Sequence, residues 1–107
     1  MRYELHNGEI HVPQSLEKAI GRKIDKIDKR LKRYHPDVAD LEIRLTRVDK
    51  VDEYECALVL RAFKETLHSG KSAPELRVAV DKSFEAMMRE LESYRVRLNP
   101  SLQDHTP

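Results

Sequence analysis

The stretch LEKAIGRKIDKIDKRLKRY, residues Leu16–Tyr34, carries the pattern on which the fold depends. Apolar residues recur in it at every third or fourth position, as they do along the buried side of an amphipathic helix. These residues are Leu16, Ile20, Ile24, Ile27, Leu31 and Tyr34. The pattern predicts a helix of about six turns from about Pro13 to Tyr34. His35–Pro36 should end it, because a residue that precedes proline disfavours helical backbone angles.

Stretches with strand-like alternation lie on either side of this helix. Arg2–His6 alternates polar and apolar residues, and so does Leu41–Thr46, which predicts two strands that each have one buried face. Tyr54–Phe63, YECALVLRAF, is richer in apolar residues on both sides and predicts a more central strand, paired as a hairpin with its predecessor. A brief fourth strand is expected near Thr66–Ser69.

A second helix is predicted after Ser72–Glu75, SAPE, which matches a capping box. In that motif the serine hydroxyl and the glutamate carboxylate accept hydrogen bonds from the exposed amides at a helix start. Apolar residues then follow at helical spacing until Asn99–Pro100, where we expect the helix to end. They are Leu76, Val80, Phe84, Met87, Leu91, Tyr94 and Leu98.

The order of these elements predicts an α+β fold, β-α-β-β-β-α. Each strand and each helix has one apolar side, so an antiparallel four-stranded sheet with both helices packed on one face would bury them all. The 107 residues are 39% hydrophobic and 36% charged, which suits one small domain. We expect this domain to cover residues 1–98 and a flexible tail to cover residues 99–107.

The composition also indicates the cellular compartment in which the protein works. The single cysteine, Cys56, excludes an internal disulfide and every zinc motif with paired cysteines, and it suits a reducing environment. The N-terminal residues have no apolar segment of the signal-peptide type, and no apolar stretch is long enough to span a membrane. We therefore expect a cytoplasmic protein with no membrane partner.

No pattern in the chain indicates catalysis. Phosphate-binding glycine loops, nucleophile elbows and zinc-protease motifs do not occur in the sequence. The five histidines are spread over separate predicted elements, and Cys56 alternates with Leu58 and Leu60, as a packing thiol does. We expect no enzymatic activity, cofactor, metal site or small-molecule substrate.

The cations of the first helix gather on one flank. When each residue is placed 100° around the axis from the last, starting at Leu16, the apolar residues fall between about 0° and 80°. The three acids, Glu17, Asp25 and Asp28, fall between about 100° and 180° together with Lys32, and the other seven cations fall between about 200° and 340°. The seven are Lys18, Arg22, Lys23, Lys26, Lys29, Arg30 and Arg33. Because like charges on neighbouring turns repel, this flank favours a polyanionic partner, and a nucleic-acid backbone is the first candidate.

Two other interpretations of this flank stay open at this level. It can be solvated surface, or it can meet acids of the second helix, where Glu85, Glu90 and Glu92 are available. The net charge of the chain is only +1, so an acidic protein surface is an alternative partner. A regulatory module that binds such a protein is therefore the second functional hypothesis.

The second helix has a weaker basic pattern. Its cations interleave with acids around the exposed side, so no basic face emerges. Lys82 and Arg89, seven residues apart, nevertheless share one stripe. Arg95 and Arg97 make the C-terminal end basic, which also suits the helix dipole.

Residues 2–98 resemble the ribosome hibernation promoting factor family, also called ribosome-associated inhibitor proteins and formerly sigma-factor modulation proteins. The resemblance rests on the element order, on the first helix with its lysines at every third residue, and on Ala79–Leu98, AVDKSFEAMMRELESYRVRL. The latter is similar to the second helix of the family, which has a basic end. Lys23, Lys26 and Lys29 fall on the repeated lysines of the family's first helix. The cations on or near its basic positions in the second helix are Lys82, Arg89, Arg95 and Arg97.

The resemblance implies a domain of four strands and two helices, similar in shape to double-stranded-RNA-binding domains. It also implies a translation inhibitor that works without chemistry, by occupying the small ribosomal subunit in the channel used by messenger and transfer RNA. The cations of both helices would then contact ribosomal RNA phosphates. Ala86 and Ser93 stand where the family usually has a lysine.

Overall fold

The computed structural model describes residues 1–33, 39–62 and 65–98, and it describes residues 95–98 by their backbone alone. The element order β-α-β-β-β-α confirms the prediction. The elements are β1 (Arg2–His6), α1 (Gln14–Lys32), β2 (Ala39–Val48), β3 (Glu53–Ala62), β4 (Glu65–Ala73) and α2 (Leu76–Leu98). The predicted helix end at His35–Pro36 and the predicted tail over 99–107 lie outside the described residues.

The four strands form one sheet in the order β1-β2-β3-β4. The pairs β2–β3 and β3–β4 are antiparallel, whereas β1 pairs with β2 in parallel, so the expectation of a wholly antiparallel sheet was wrong for β1. The connection explains the difference. Because α1 crosses back over the sheet between β1 and β2, the chain enters both strands from the same end.

The junction between β4 and α2 differs from the prediction. The strand covers nine residues instead of a brief segment, and Ser72 pairs with Glu55 of β3 within it. Ser72 is therefore not the cap of α2, and the capping-box prediction was wrong. The Glu75 carbonyl accepts a hydrogen bond from the Ala79 N–H at 3.1 Å, so the helix begins directly after Glu75. Continuous pairing with β3 satisfies the backbone hydrogen-bonding groups of β4. A cap at Ser72 would have interrupted this pairing.

The core lies between the sheet and the two helices, which cover the same face. Ile27 of α1, Leu58 of β3 and Met87 of α2 are all fully buried in one cluster. The described members of both predicted helical stripes are buried, except that Leu76, at the start of α2, is partly buried. On the predicted apolar face of the edge strand β1, Leu5 is partly buried and Tyr3 is 55% exposed. Neither described helix is long and apolar enough to cross a membrane.

Candidate nucleic-acid interface

Five cations form an exposed ridge along α1, which we call the outer ridge. Its members are Lys18, Arg22, Lys26 and Lys29 of α1 and Arg33 at the C-cap of this helix. The opposite side of the helix is fixed in the core, so these side chains necessarily face solvent. At 1.5 Å of rise per residue the ridge is about 22 Å long. Within the described part of the chain none of the five forms an ion pair.

The other two cations of the predicted basic flank face α2. Lys23 Nζ lies 2.8 Å from Asp81 Oδ1, and Arg30 Nη1 lies 3.4 Å from Glu92 Oε2. We call these two contacts the interhelical pairs. The first helix therefore combines two of the interpretations that the sequence left open: five of its cations face outward, and two meet carboxylates of the second helix.

The border of the outer ridge that lies away from α2 is acidic. Asp25 is exposed, and Asp28 pairs with Lys32 one turn later at 3.4 Å. Lys32, which the sequence placed among the acids, therefore does not belong to the ridge. Along the ridge itself, like-charged neighbours such as Lys18 and Arg22 repel each other by a few tenths of a kcal/mol at about one turn of separation. The structure thus leaves a continuous line of positive charge that an external anion can neutralise.

The cations of α2 lie apart from this ridge. Lys82 and Arg89 are exposed, and two helical turns separate them, so they form a second and smaller basic site. Lys82 follows Asp81 by one residue and is therefore turned about 100° away from the side that meets α1. The side chains of Arg95 and Arg97 lie outside the described residues.

The face of the sheet away from the helices carries both signs of charge. Arg2 Nε lies 2.9 Å from Asp40 Oδ1, and Arg61 lies 3.6 Å from the Glu42 carboxylate, which also accepts a hydrogen bond from Arg44. The hydrogen bond from Arg44 holds the pKa of Glu42 below its usual value. Because these charges pair with one another, this face has less unpaired positive charge for a polyanion to contact than the outer ridge has.

An open cavity of about 1020 Å³ lies at the end of the sheet where both helices begin. Its lining includes His11, Tyr54 and Arg77 together with acids such as Glu9. The Arg47 guanidinium lies 5.7 Å from the centre of the Tyr54 ring. The charges around this cavity are mixed, and no group of three or more side chains in the described residues could hold a metal ion.

Cys56 is a core residue, as its alternation in β3 predicted. The thiol is fully buried beside Ser83, whose carbonyl and hydroxyl both contact the Ser69 hydroxyl, at 2.9 and 3.1 Å. Burial raises the pKa of Cys56 to about 11, while the hydrogen bond with Ser83 acts weakly in the opposite direction. A thiol in this state is a poor nucleophile, because the thiolate is the reactive form.

We expect Cys56 in the folded protein to react with iodoacetamide at pH 8 about a hundredfold more slowly than in the unfolded chain, because the thiolate fraction falls by about that factor. The rate would be measured by mass spectrometry with and without urea. The chain has one cysteine, so the unfolded protein is its own reference. Equal rates would show that the thiol is accessible and ionised in the folded state.

The chain was compared with family models, with curated protein sequences and with solved structures. The family model described as sigma 54 modulation protein / S30EA ribosomal protein matches residues 3–99. This match covers all six elements except the first residue of β1, and it includes the outer ridge and the interhelical pairs. No curated protein sequence matches the chain.

Solved structures share the fold at very low sequence identity. The N-terminal domain of Thermus thermophilus Protein Y superimposes with a TM-score of 0.71 at 8% identity and covers 88% of this chain and 99% of its own. A ribosomal subunit interface protein from Coxiella burnetii gives a TM-score of 0.68 at 11% identity and covers 90% of this chain and 99% of its own. At this identity the two structures support the fold, and the family assignment rests on the family model. With its match over residues 3–99, the chain belongs to the sigma 54 modulation protein / S30EA ribosomal protein family.

Proposed function

We propose that this protein is a non-enzymatic, ribosome-associated factor that binds the small ribosomal subunit through the outer ridge and thereby inhibits translation. The observation that carries the proposal is the ridge itself: five exposed cations on one side of α1 without an acidic partner in the described part of the chain. Family membership supports a ribosomal partner, as does the ribosomal subunit interface protein that shares the fold. A ribosomal partner also implies a cytoplasmic location.

Ribosomal RNA is the polyanion that fits this surface best. A line of lysines and arginines at successive turns can contact successive phosphates and release the cations condensed on the RNA. The ridge has no aromatic residue from which bases could be read by stacking, so binding should depend on backbone charge and shape. Lys82 and Arg89 would add contacts where the RNA also reaches α2, and Arg95 with Arg97 is proposed to extend that contribution.

Cosedimentation with purified small subunits across a series of salt concentrations tests the proposal. Five ridge contacts predict that log affinity falls with log salt with a slope of about −3.5 to −4.5, since each neutralised phosphate contributes about 0.7 to 0.9. Large subunits alone are the control and should sediment with much less protein. A slope near zero would contradict binding through phosphate contacts.

An acidic protein is the second candidate partner. The interhelical pairs favour it, because they show that carboxylates already fit against cations of α1. In this case the protein would be a regulatory module on the same fold. Treatment of a pulldown with ribonuclease separates the two candidates, since a protein partner stays bound and an RNA-dependent partner is released.

A further inference from the structure

The interhelical pairs cross the groove between α1 and α2 at two positions along the helices. The two helices run in the same direction, because each one follows a strand of the same orientation and crosses back over the sheet. Lys23 and Asp81 form the first bridge, and Arg30 and Glu92 form the second further along both helices. The Lys23 and Arg30 side chains are only 25% and 35% exposed. Both cations are therefore partly withdrawn from solvent and already have a partner.

The carboxylates of these bridges belong to an acidic stripe on α2. Asp81, Glu85 and Glu92 follow one another at spacings of four and seven residues, so they share the side of α2 that faces α1. A phosphate that approached Lys23 would have to displace Asp81 and then remain within a few ångström of its negative charge. Like charges at this separation repel, and the repulsion grows where solvent is partly excluded.

We propose that Asp81 and Glu92 are specificity-determining residues that keep the RNA strand on the outer ridge and out of the groove between the helices. This inference rests on the proposed function and refines its site. Lys23 and Arg30 hold the two helices together, and Lys26 and Arg33, which lie further around α1 from α2, contact phosphate. A basic helix thereby presents one line of charge and not a broad basic surface.

The first test removes the two carboxylates. In the Asp81→Asn, Glu92→Gln double variant, Lys23 and Arg30 become available, so the salt dependence of small-subunit binding should steepen by about 1.4 to 1.8 in slope. Affinity at about 0.1 M salt should rise by about tenfold. The control is Glu75→Gln, Glu90→Gln, which removes the same charge from exposed positions off the acidic stripe and frees no cation of α1. A slope that changes equally in both double variants overturns the inference.

The second test removes the cations in matched pairs, each with one lysine and one arginine replaced. Lys23→Met, Arg30→Met should bind within about twofold of the unmodified protein, whereas Lys26→Met, Arg33→Met should lose about tenfold or more at about 0.1 M salt. Circular dichroism confirms folding; should Lys23→Met, Arg30→Met unfold, the carboxylate variants decide. Equal losses in the two pairs overturn the inference and leave the proposed function standing. An unmodified protein that fails to sediment with small subunits overturns both.

Discussion

Replacement of Lys26 and Arg33 by glutamate is expected to abolish cosedimentation with ribosomes while the fold stays intact. The double variant Lys26→Glu, Arg33→Glu removes two phosphate contacts and places two negative charges on the line that the RNA would follow. We expect at least about a hundredfold loss of affinity at about 0.1 M salt, since both the lost counterion release and the new repulsion oppose binding. Cosedimentation with small subunits, quantified by immunoblotting, measures the effect.

The control for this variant changes the same net charge elsewhere. Lys32 is 72% exposed but lies on the acidic border of α1, and Lys50 is exposed in the turn between β2 and β3. Lys32→Glu, Lys50→Glu should therefore bind much more tightly than the ridge variant. Both variants should keep an unfolding free energy within about 0.5 kcal/mol per substitution of the unmodified protein, because all four side chains are outside the core. Undiminished binding of a folded ridge variant would assign the interface to another surface.

The helical face of the core was predictable because its signal is local. Leu16, Ile20 and Ile27 are spaced by the helical repeat itself, so their burial follows from the sequence without knowledge of the partner that covers them. The direction of β1 was not predictable in this way. Alternation at Tyr3 and Leu5 is the same in a parallel and an antiparallel pair, and the crossover through α1 decides between the two.

The candidate site likewise has a part that the local sequence predicts and a part that depends on the tertiary structure. Helical projection placed seven of the eight cations between Lys18 and Arg33 on one flank, and the exposed outer ridge follows from that alone. It also placed Lys23 and Arg30 at the edge nearest the apolar sector, which is where a neighbouring helix packs. That signal could have identified them as contacts between helices. Their partners required the tertiary structure, because nothing local distinguishes Glu92 from the exposed Glu90.

Truncation of Leu58 is expected to cause the largest loss of stability among the substitutions considered. Leu58 is fully buried on the central strand β3, between Ile43 of β2 and Ser69 of β4, and it belongs to the cluster that both helices cover. Leu58→Ala leaves a cavity that these packed elements can fill only in part. We expect the free energy of unfolding to fall by about 2 to 5 kcal/mol, out of a total of about 5 to 15 kcal/mol for a domain of this kind. Urea denaturation followed by circular dichroism measures the change.

The neighbouring residue provides the control that ties this loss to the helix-covered face. Val59 is half-buried on the opposite face of β3, so Val59→Ala should cost about 1 kcal/mol or less. Equal losses at the two positions would contradict a core that lies on one face of the sheet. Leu58 also makes no part of the outer ridge, so Leu58→Ala should retain the salt dependence of ribosome binding at temperatures where it is folded. Retained binding with lowered stability would separate the structural role of the apolar core from the recognition role of the outer ridge, because Leu58 is buried in the core and the ridge cations are exposed.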